Sequence, residues 1–311
     1  MFKINGMKKI ILATSHHQLS VYFKTVMCLA FLYASLIAAG QKEISLYKSP
    51  APGSEDWNWQ EKEFFVKVPL NAKVIYNITK PTLTVFTPDS SNGCAVIVCP
   101  GGGGRVLNFE SEGIRVANQL VKKGVTVFIL KYRLAQSFTE DPWQEMMNAI
   151  RKPDSSSVKK TSLITEMART DLNIAIRYVK EHASEFKIDT TRIGLMGFSA
   201  GGQMVARVAY HFTPQTKPAF VAPIYCVITR INDRTVKPDA PPLFIAAATD
   251  DQLADISNSL NLYNDWMNAK RPVELHIYSK GGHGLRGLPA ESWICRFEEW
   301  LNAEGFLKQK N

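Results

Sequence analysis

One serine in this chain stands where its hydroxyl could become a nucleophile. Gly197-Phe-Ser199-Ala-Gly201 is a G-x-S-x-G pentapeptide, with the apolar run 193–196 before it and an amphipathic segment, 203–211, after it. Read as strand, tight turn and helix, this spacing presents a serine on a strained turn. Glycine two places before and two after then has a steric reason, because a Cβ at either position would strike the neighbouring strand or helix. The pentapeptide alone is a weak signal. The strand before it, the helix after it and a further glycine at 202 favour a catalytic Ser199 over a Gly-rich structural turn.

A serine hydroxyl is inert until a base removes its proton and an acid orients that base. Of six histidines, His16 and His17 fall in the leader described below. His182 and His211 fall in or at the end of helical patterns, and His276 within a strand pattern, where a hydrogen-bonded structural imidazole is expected. His283 differs, for Lys280-Gly-Gly-His-Gly284 puts it on a glycine loop just after a strand. An imidazole there has little packing role and can be held over the sheet, so His283 is the candidate base. The acid is expected between serine and histidine in chain order. The strand 243–248 runs into Thr249-Asp250-Asp251, at the carboxyl edge of a parallel sheet where sites collect. Adjacent aspartates cannot both face one histidine. Asp251 is the favoured acid, with Asp250 the alternative, and the one not used is expected to serve the loop or cap a helix.

Acyl transfer also needs donors for an oxyanion. Pro100-Gly101-Gly102-Gly103-Gly104 follows a continuous apolar run, and its amides can approach a substrate oxygen closely. Gly102, Gly103 and the amide of Ala200, directly after the serine, are the candidate donors. Losing one such donor costs roughly a hundred- to a thousandfold in rate. A phosphate cradle is the competing reading, but no G-K-[ST] follows. A G-x-G-x-x-G register would put Val106 or Leu107 where its third glycine belongs. No H-E-x-x-H or His-x-His pairing accompanies the site, so neither metal nor other cofactor is expected.

The elements that must carry these residues alternate. Strand patterns occupy 64–69, 81–88, 94–99 and 125–130, then 193–196, 219–228, 243–248 and 273–278. Helical patterns occupy 111–123, 171–186, 203–211, 257–270 and 291–301. Such alternation predicts an α/β domain, a mostly parallel sheet with helices on both faces. The run 94–99 is apolar throughout, as a central parallel strand requires, and alternation around Leu83 marks a strand near a sheet edge. Residues 135–163 have little apolar periodicity and read as a surface excursion bordering the site.

Composition bounds the partners. The 311 residues are 45% hydrophobic and 21% charged, enough for one sizeable core. Net charge is +9, but residues 1–40 hold four lysines and no acid, so 33 basic against 28 acidic residues remain beyond them, or +5. No Arg-rich run or aromatic RNA-binding motif occurs, so no nucleic acid is expected as partner. Residues 1–40 read as an export signal, with a basic head, an apolar run over 25–39 that is short for a bilayer span, then Ala38-Ala39-Gly40; an uncleaved anchor is the alternative. The mature chain is expected to be periplasmic or secreted, without stable membrane insertion. A lead and edge strand over 41–80 and a catalytic domain over 81–311 are expected to follow. Cys94 and Cys99 bracket one strand, roughly 16 Å apart, and cannot bridge each other. With Cys226 and Cys295 they read as buried free thiols, a pairing with either of these remaining open.

Cys99-Pro-Gly-Gly-Gly, Glu112-Gly113, Leu130-Lys-Tyr-Arg-Leu134, Gly197-Phe-Ser-Ala-Gly-Gly202 and Glu274-Leu-His-Ile-Tyr-Ser-Lys-Gly-Gly-His-Gly284 occur in one order from about residue 81 onward. Together they resemble the α/β-hydrolase esterases, and within them the bacterial acetyl-esterase and acetylxylan-esterase-like proteins. The resemblance implies an eight-stranded, mostly parallel sheet and a cofactor-free mechanism, with the triad on Ser199, Asp251 and His283. It implies a short-chain ester of a carbohydrate, such as acetylated xylan, as substrate. The pattern departs from the family at Arg105, where an aromatic residue is common, at Ala247, where a histidine is common, and at Ala254-Asp255, which replaces Val-Pro. Arg105 is a candidate substrate contact at the pocket rim, the alternative being a solvated loop charge, and Trp57 and Trp59 are candidates either for stacking on a sugar or for packing the lead against the domain. Tyr132, Arg133 and Asp171 read as structural. A broad carboxylesterase or peptidase and a non-catalytic glycan-binding relic are the rival readings.

Overall fold

A computed structural model describes residues 42–288 and 292–307 of the chain. The expected export segment, 1–40, lies outside the described residues. The strands are β1 (Lys42–Ser45), β2 (Lys62–Val66), β3 (Ala72–Tyr76), β4 (Thr82–Phe86), β5 (Ala95–Cys99) and β6 (Val106–Leu107). After them come β7 (Thr126–Lys131), β8 (Ile193–Phe198), β9 (Val221–Ile224), β10 (Leu243–Ala248) and β11 (Val273–Tyr278). The α-helices are α1 (Arg115–Leu120), α2 (Pro142–Arg151), α3 (Ser155–Glu181), α4 (Ala200–His211), α5 (Ser257–Asn268) and α6 (Ser292–Ala303).

Eight strands form one sheet in the order β1-β4-β7-β5-β8-β9-β10-β11. The pairs from β7 to β11 are parallel, and β4 runs antiparallel to β7. This is the α/β-hydrolase fold, with helices on both faces. In β5 the period of two divides the strand between two cores. Ala95, Ile97 and Cys99 pack with Leu172 and Ile176 of α3, Val205 of α4 and Trp266 of α5. Val96 and Val98 pack with Leu120 of α1 and Phe297 and Trp300 of α6. Both faces are covered, which is why β5 reads as an unbroken apolar run.

β2, β3 and β6 make a second, antiparallel sheet. β6 is two residues long and leaves the glycine loop directly, so its pairing with β3 ties that loop to a separate layer. Neither β3 nor β6 was expected from the sequence, and β1 was not either. A two-residue strand carries no periodicity to read.

The stretch 135–163 is a correction. It contains α2 and the start of α3 rather than an irregular excursion. Asp141 caps α2 by accepting from the Gln144 amide at 2.8 Å, with Pro142 in the first turn. Trp143, Met146, Met147 and Ile150 of α2 recur at i, i+3, i+4 and i+7, the stripe of an amphipathic helix, although only Pro142 and Met146 are buried. Likewise the helix expected over 171–186 begins at Ser155, ends at Glu181 and gives way to a 3₁₀ turn, Ala183–Phe186. Among the described residues no helix is long and apolar enough to cross a membrane. Cys94, Cys99, Cys226 and Cys295 are free thiols. Burial pushes the Cys94 and Cys226 thiols up to about 12, well away from thiolate chemistry.

Candidate active site

Topology alone brings two of the sequence motifs together. From β5 the chain passes to β7 on one side and later returns to β8 on the other, so the connections leaving β5 and β8 diverge from a shared edge. Such a switch point opens a crevice at the carboxyl ends of the strands. Cys99 is in register with Gly197, so the glycine loop after β5 and the serine turn after β8 emerge side by side. On the far half of the sheet Ala248 is in register with Tyr278. The loop bearing Asp250 and Asp251 therefore emerges beside the loop bearing His283.

Ser199 sits at φ +49°, ψ −113°, a conformation that side chains rarely adopt. Its amide donates to Ile224 of β9 at 3.0 Å, and α4 begins at the next residue. The flanking glycine is needed for contact rather than flexibility. A Cβ at Gly201 would lie 2.0 Å from the Cys99 carbonyl oxygen.

The Ser199 Oγ lies 2.8 Å from His283 Nε2, and His283 Nδ1 lies 2.9 Å from Asp251 Oδ2 and 3.1 Å from Oδ1. With a proton on Nδ1, the imidazole donates to the carboxylate and accepts from the serine hydroxyl. The Asp251 side chain is fully buried. Burial raises its carboxyl. The hydrogen bond and charge of His283 and the amides of Ala254 and Leu253 outweigh that and hold it below the ordinary aspartate value. Those amides donate to Oδ1 at 2.9 and 2.8 Å. Asp250 faces the other way and accepts from the Gly282 amide at 2.7 Å. The two aspartates thus serve different partners, one the imidazole and one its loop.

The glycine loop is held from several sides. The Gly101 amide donates to Glu112 Oε2 at 2.6 Å, and the Tyr132 hydroxyl donates to the Pro100 carbonyl at 2.6 Å. Gly102 has φ +132° and accepts from both Arg105 and Val106 at 3.1 Å. A Cβ there would lie 2.1 Å from the Val106 carbonyl oxygen. Gly103 and Ala200 line the cavity over Ser199, while Gly102 is buried behind it and does not. The amide of Ala200 opens α4, where N–H groups have no acceptor within the helix.

The cavity holds about 300 Å³. Met146, Ile150, Ile164 and Met204 supply apolar wall; Gln203 and Arg230 add polar groups. Arg105 lines it too, its guanidinium 3.3 Å from Glu145. Trp57 and Trp59 do not line it. Their rings stack on each other with centroids 4.6 Å apart, so their expected place against a substrate is a correction. An aromatic pair ahead of the first strands gives no sequence sign of whether it faces a site or itself. Arg133 and Asp171 form a buried pair, Nη2 to Oδ1 at 2.7 Å, and the Tyr47 hydroxyl donates to the same oxygen at 2.7 Å. This cluster ties the lead to the sheet. Two residues that sequence reasoning left without a role, Glu112 and Tyr225, meet under the glycine loop. The signal for Glu112 is its place in the Glu112-Gly113 motif of the resemblance, which assigns it no role; Tyr225 carries no signal. Among the described residues no group of three or more His, Cys, Asp or Glu side chains is arranged to hold a metal.

Comparison with known proteins agrees with this architecture. The BD-FAE family model matches residues 160–218, which include the serine turn. An acetylxylan esterase of Xylanibacter ruminicola is 24% identical over 236 residues, 66% of this chain and 44% of the relative. Endo-1,4-beta-xylanase B of Butyrivibrio fibrisolvens is 22% identical, over 86% of this chain and 43% of its own. The chain thus spans less than half the length of the curated relatives it matches. The acetyl ester-xyloside bifunctional hydrolase of Caldicellulosiruptor lactoaceticus superposes with a TM-score of 0.61 at 23% identity, covering 86% of this chain and 97% of that one. A carboxylesterase of Lactobacillus plantarum superposes with a TM-score of 0.57 at 19% identity, covering 81% and 100%.

Proposed function

We propose that this chain is a serine esterase that removes short acyl groups, acetyl first among them, from carbohydrate esters such as acetylated xylan. The observation that carries the proposal is the continuous contact from Ser199 through His283 to Asp251 at 2.8 and 2.9 Å. Three further features support it: the amides beside Ser199, the mixed polar and apolar cavity, and the esterase and xylan-related activities of the similar proteins.

In the proposed reaction His283 Nε2 takes the Ser199 proton as Oγ attacks the ester carbonyl. The resulting oxyanion is held by the loop amide at Gly103 and by that of Ala200, the two of the three candidate donors that line the cavity. The carbon–oxygen bond to the sugar breaks, and the alcohol leaves with the proton from His283. Water then attacks the acyl-serine, giving its proton to His283. Acetate departs and the proton returns to Ser199. Asp251 keeps the imidazole in one tautomer throughout. Each step uses side chains and amides of this chain alone.

The test compares acetate release from acetylated xylan with hydrolysis of nitrophenyl esters of increasing chain length, using wild type and Ser199→Ala. Turnover of acetyl substrates that Ser199→Ala lowers by roughly 10⁶ in kcat supports the reading. Activity confined to long acyl chains points to a lipase-like enzyme, and wild-type turnover no better than the variant to a glycan-binding role. Export is part of the same proposal and rests on the leader pattern over 1–40. It is checked by sequencing the N-terminus of the exported chain, expected at Gln41.

A further inference from the structure

We propose that Glu112 and Tyr225 are a positioning pair that sets the glycine loop and the His283 imidazole relative to each other; the inference rests on the esterase reading above. Glu112 belongs to the π-helical turn before α1 and is buried, and among the described residues it forms no salt bridge. Its oxygens instead collect three neutral donors. Oε2 accepts from the Gly101 amide at 2.6 Å, and Oε1 accepts from Asn108 Nδ2 and the Tyr225 hydroxyl, both at 3.0 Å. Burial pushes this carboxyl up, against the pull of those donors and of the nearby His283. A carboxyl serving packing alone could be replaced by an apolar side chain of similar volume without that burden.

Tyr225 joins the loop to the histidine. It follows β9 with φ +37°, a left-handed backbone conformation that residues other than glycine rarely adopt. Its amide donates to Ala246 of β10 at 2.8 Å, which fixes the strained turn. From there the phenol reaches Glu112, while the ring meets the His283 imidazole edge to face, centroids 5.2 Å apart at 68°. The other groups around this pair are Asp251 on the imidazole, Arg286 toward the phenol and Tyr132 beneath Pro100. One carboxyl thus touches the first amide of the glycine loop directly and the imidazole through a single ring. Neither Glu112 nor Tyr225 is placed to touch the reacting atoms, and both act through other groups.

The experiment measures kcat and KM on nitrophenyl acetate for wild type, Tyr225→Phe, Glu112→Ala and Glu112→Gln. Covalent labelling of Ser199 by a fluorophosphonate and thermal midpoints are measured on the same proteins. Positioning of groups that act in the transition state predicts a kcat loss of about ten- to a hundredfold in Tyr225→Phe and Glu112→Ala, with KM within about twofold. Glu112→Gln keeps an acceptor for Gly101, and once the Asn108 amide turns over, its Oδ1, which has no partner among the described residues, accepts the new N–H. It should recover most of the loss seen in Glu112→Ala. Tyr225→Phe keeps the ring and the fold and carries the test if Glu112→Ala does not fold. Unchanged kcat in Tyr225→Phe and in Glu112→Ala, or a change in KM alone, overturns the inference while leaving the esterase reading intact. Wild type that neither turns over nor is labelled overturns both.

Discussion

Asp250 accepts a hydrogen bond from the Gly282 amide at 2.7 Å, one residue before the histidine that its neighbour Asp251 contacts. Adjacent carboxylates reach different partners because the chain turns directly after β10, the Asp251 amide donating back to the Ala248 carbonyl at 3.4 Å. Asp251→Asn should lower kcat by roughly 10⁴, as expected when the imidazole loses its tautomer partner. Asp250→Ala should lower it by only about tenfold, through a looser loop. Steady-state kinetics of the two variants separates them; equal losses would contradict this division.

The buried carboxyls of Asp251 and Glu112 should respond to pH in opposite senses. The Asp251 carboxyl lies below its unfolded value, so its contribution to stability is complete above the ordinary aspartate range of about 3.9 and is lost as pH falls through the folded value. The Glu112 carboxyl lies above its unfolded value, so its contribution is present below about 4.3 and is lost as pH rises through the folded value. Thermal midpoints across pH should therefore fall less steeply toward acid in Asp251→Asn and decline less toward alkali in Glu112→Gln than in wild type.

Gly201→Ala tests whether the serine turn depends on close approach. The added methyl would lie 2.0 Å from a carbonyl oxygen of β5, a backbone atom that cannot move aside cheaply. A destabilisation of about 3 kcal/mol or more is expected, with activity lost in step. Chemical denaturation reads the first and ester hydrolysis the second. A variant as stable as wild type would mean that β5 and α4 pack less closely than described.

Asp171→Ala should destabilise by about 3–5 kcal/mol, because it leaves the Arg133 guanidinium buried without its carboxylate. Tyr47 loses its acceptor in the same variant, so limited proteolysis should cut the lead more readily than in wild type. An unaltered unfolding midpoint would remove Arg133 and Asp171 from the supports of the fold.

The main sheet was legible because its strands carry their own signal. β5, β8 and β10 are apolar along their length, since parallel strands covered on two faces have nowhere to place a polar side chain. α2 carries a signal as well, an Asp141-Pro142 start and apolar residues at 143, 146, 147 and 150, which the polar character of the whole stretch 135–163 masks. The small sheet was missed for a different reason: β6 has two residues, and only its partner β3 makes it a strand.

By itself the sequence determined what local chemistry dictates: strand and helix periods, a glycine-flanked serine between them, and a histidine on a loop too rich in glycine to pack. Strand order decided the rest. Asp251 rather than Asp250 meets His283, Glu112 reaches beneath Gly101, and Trp57 stacks on Trp59 instead of lining the cavity. Those outcomes depend on the register between strands far apart in the chain, where a shift of one residue turns every side chain to the opposite face. No pattern within a single segment encodes that register. It emerges when the sheet assembles and both of its faces are covered.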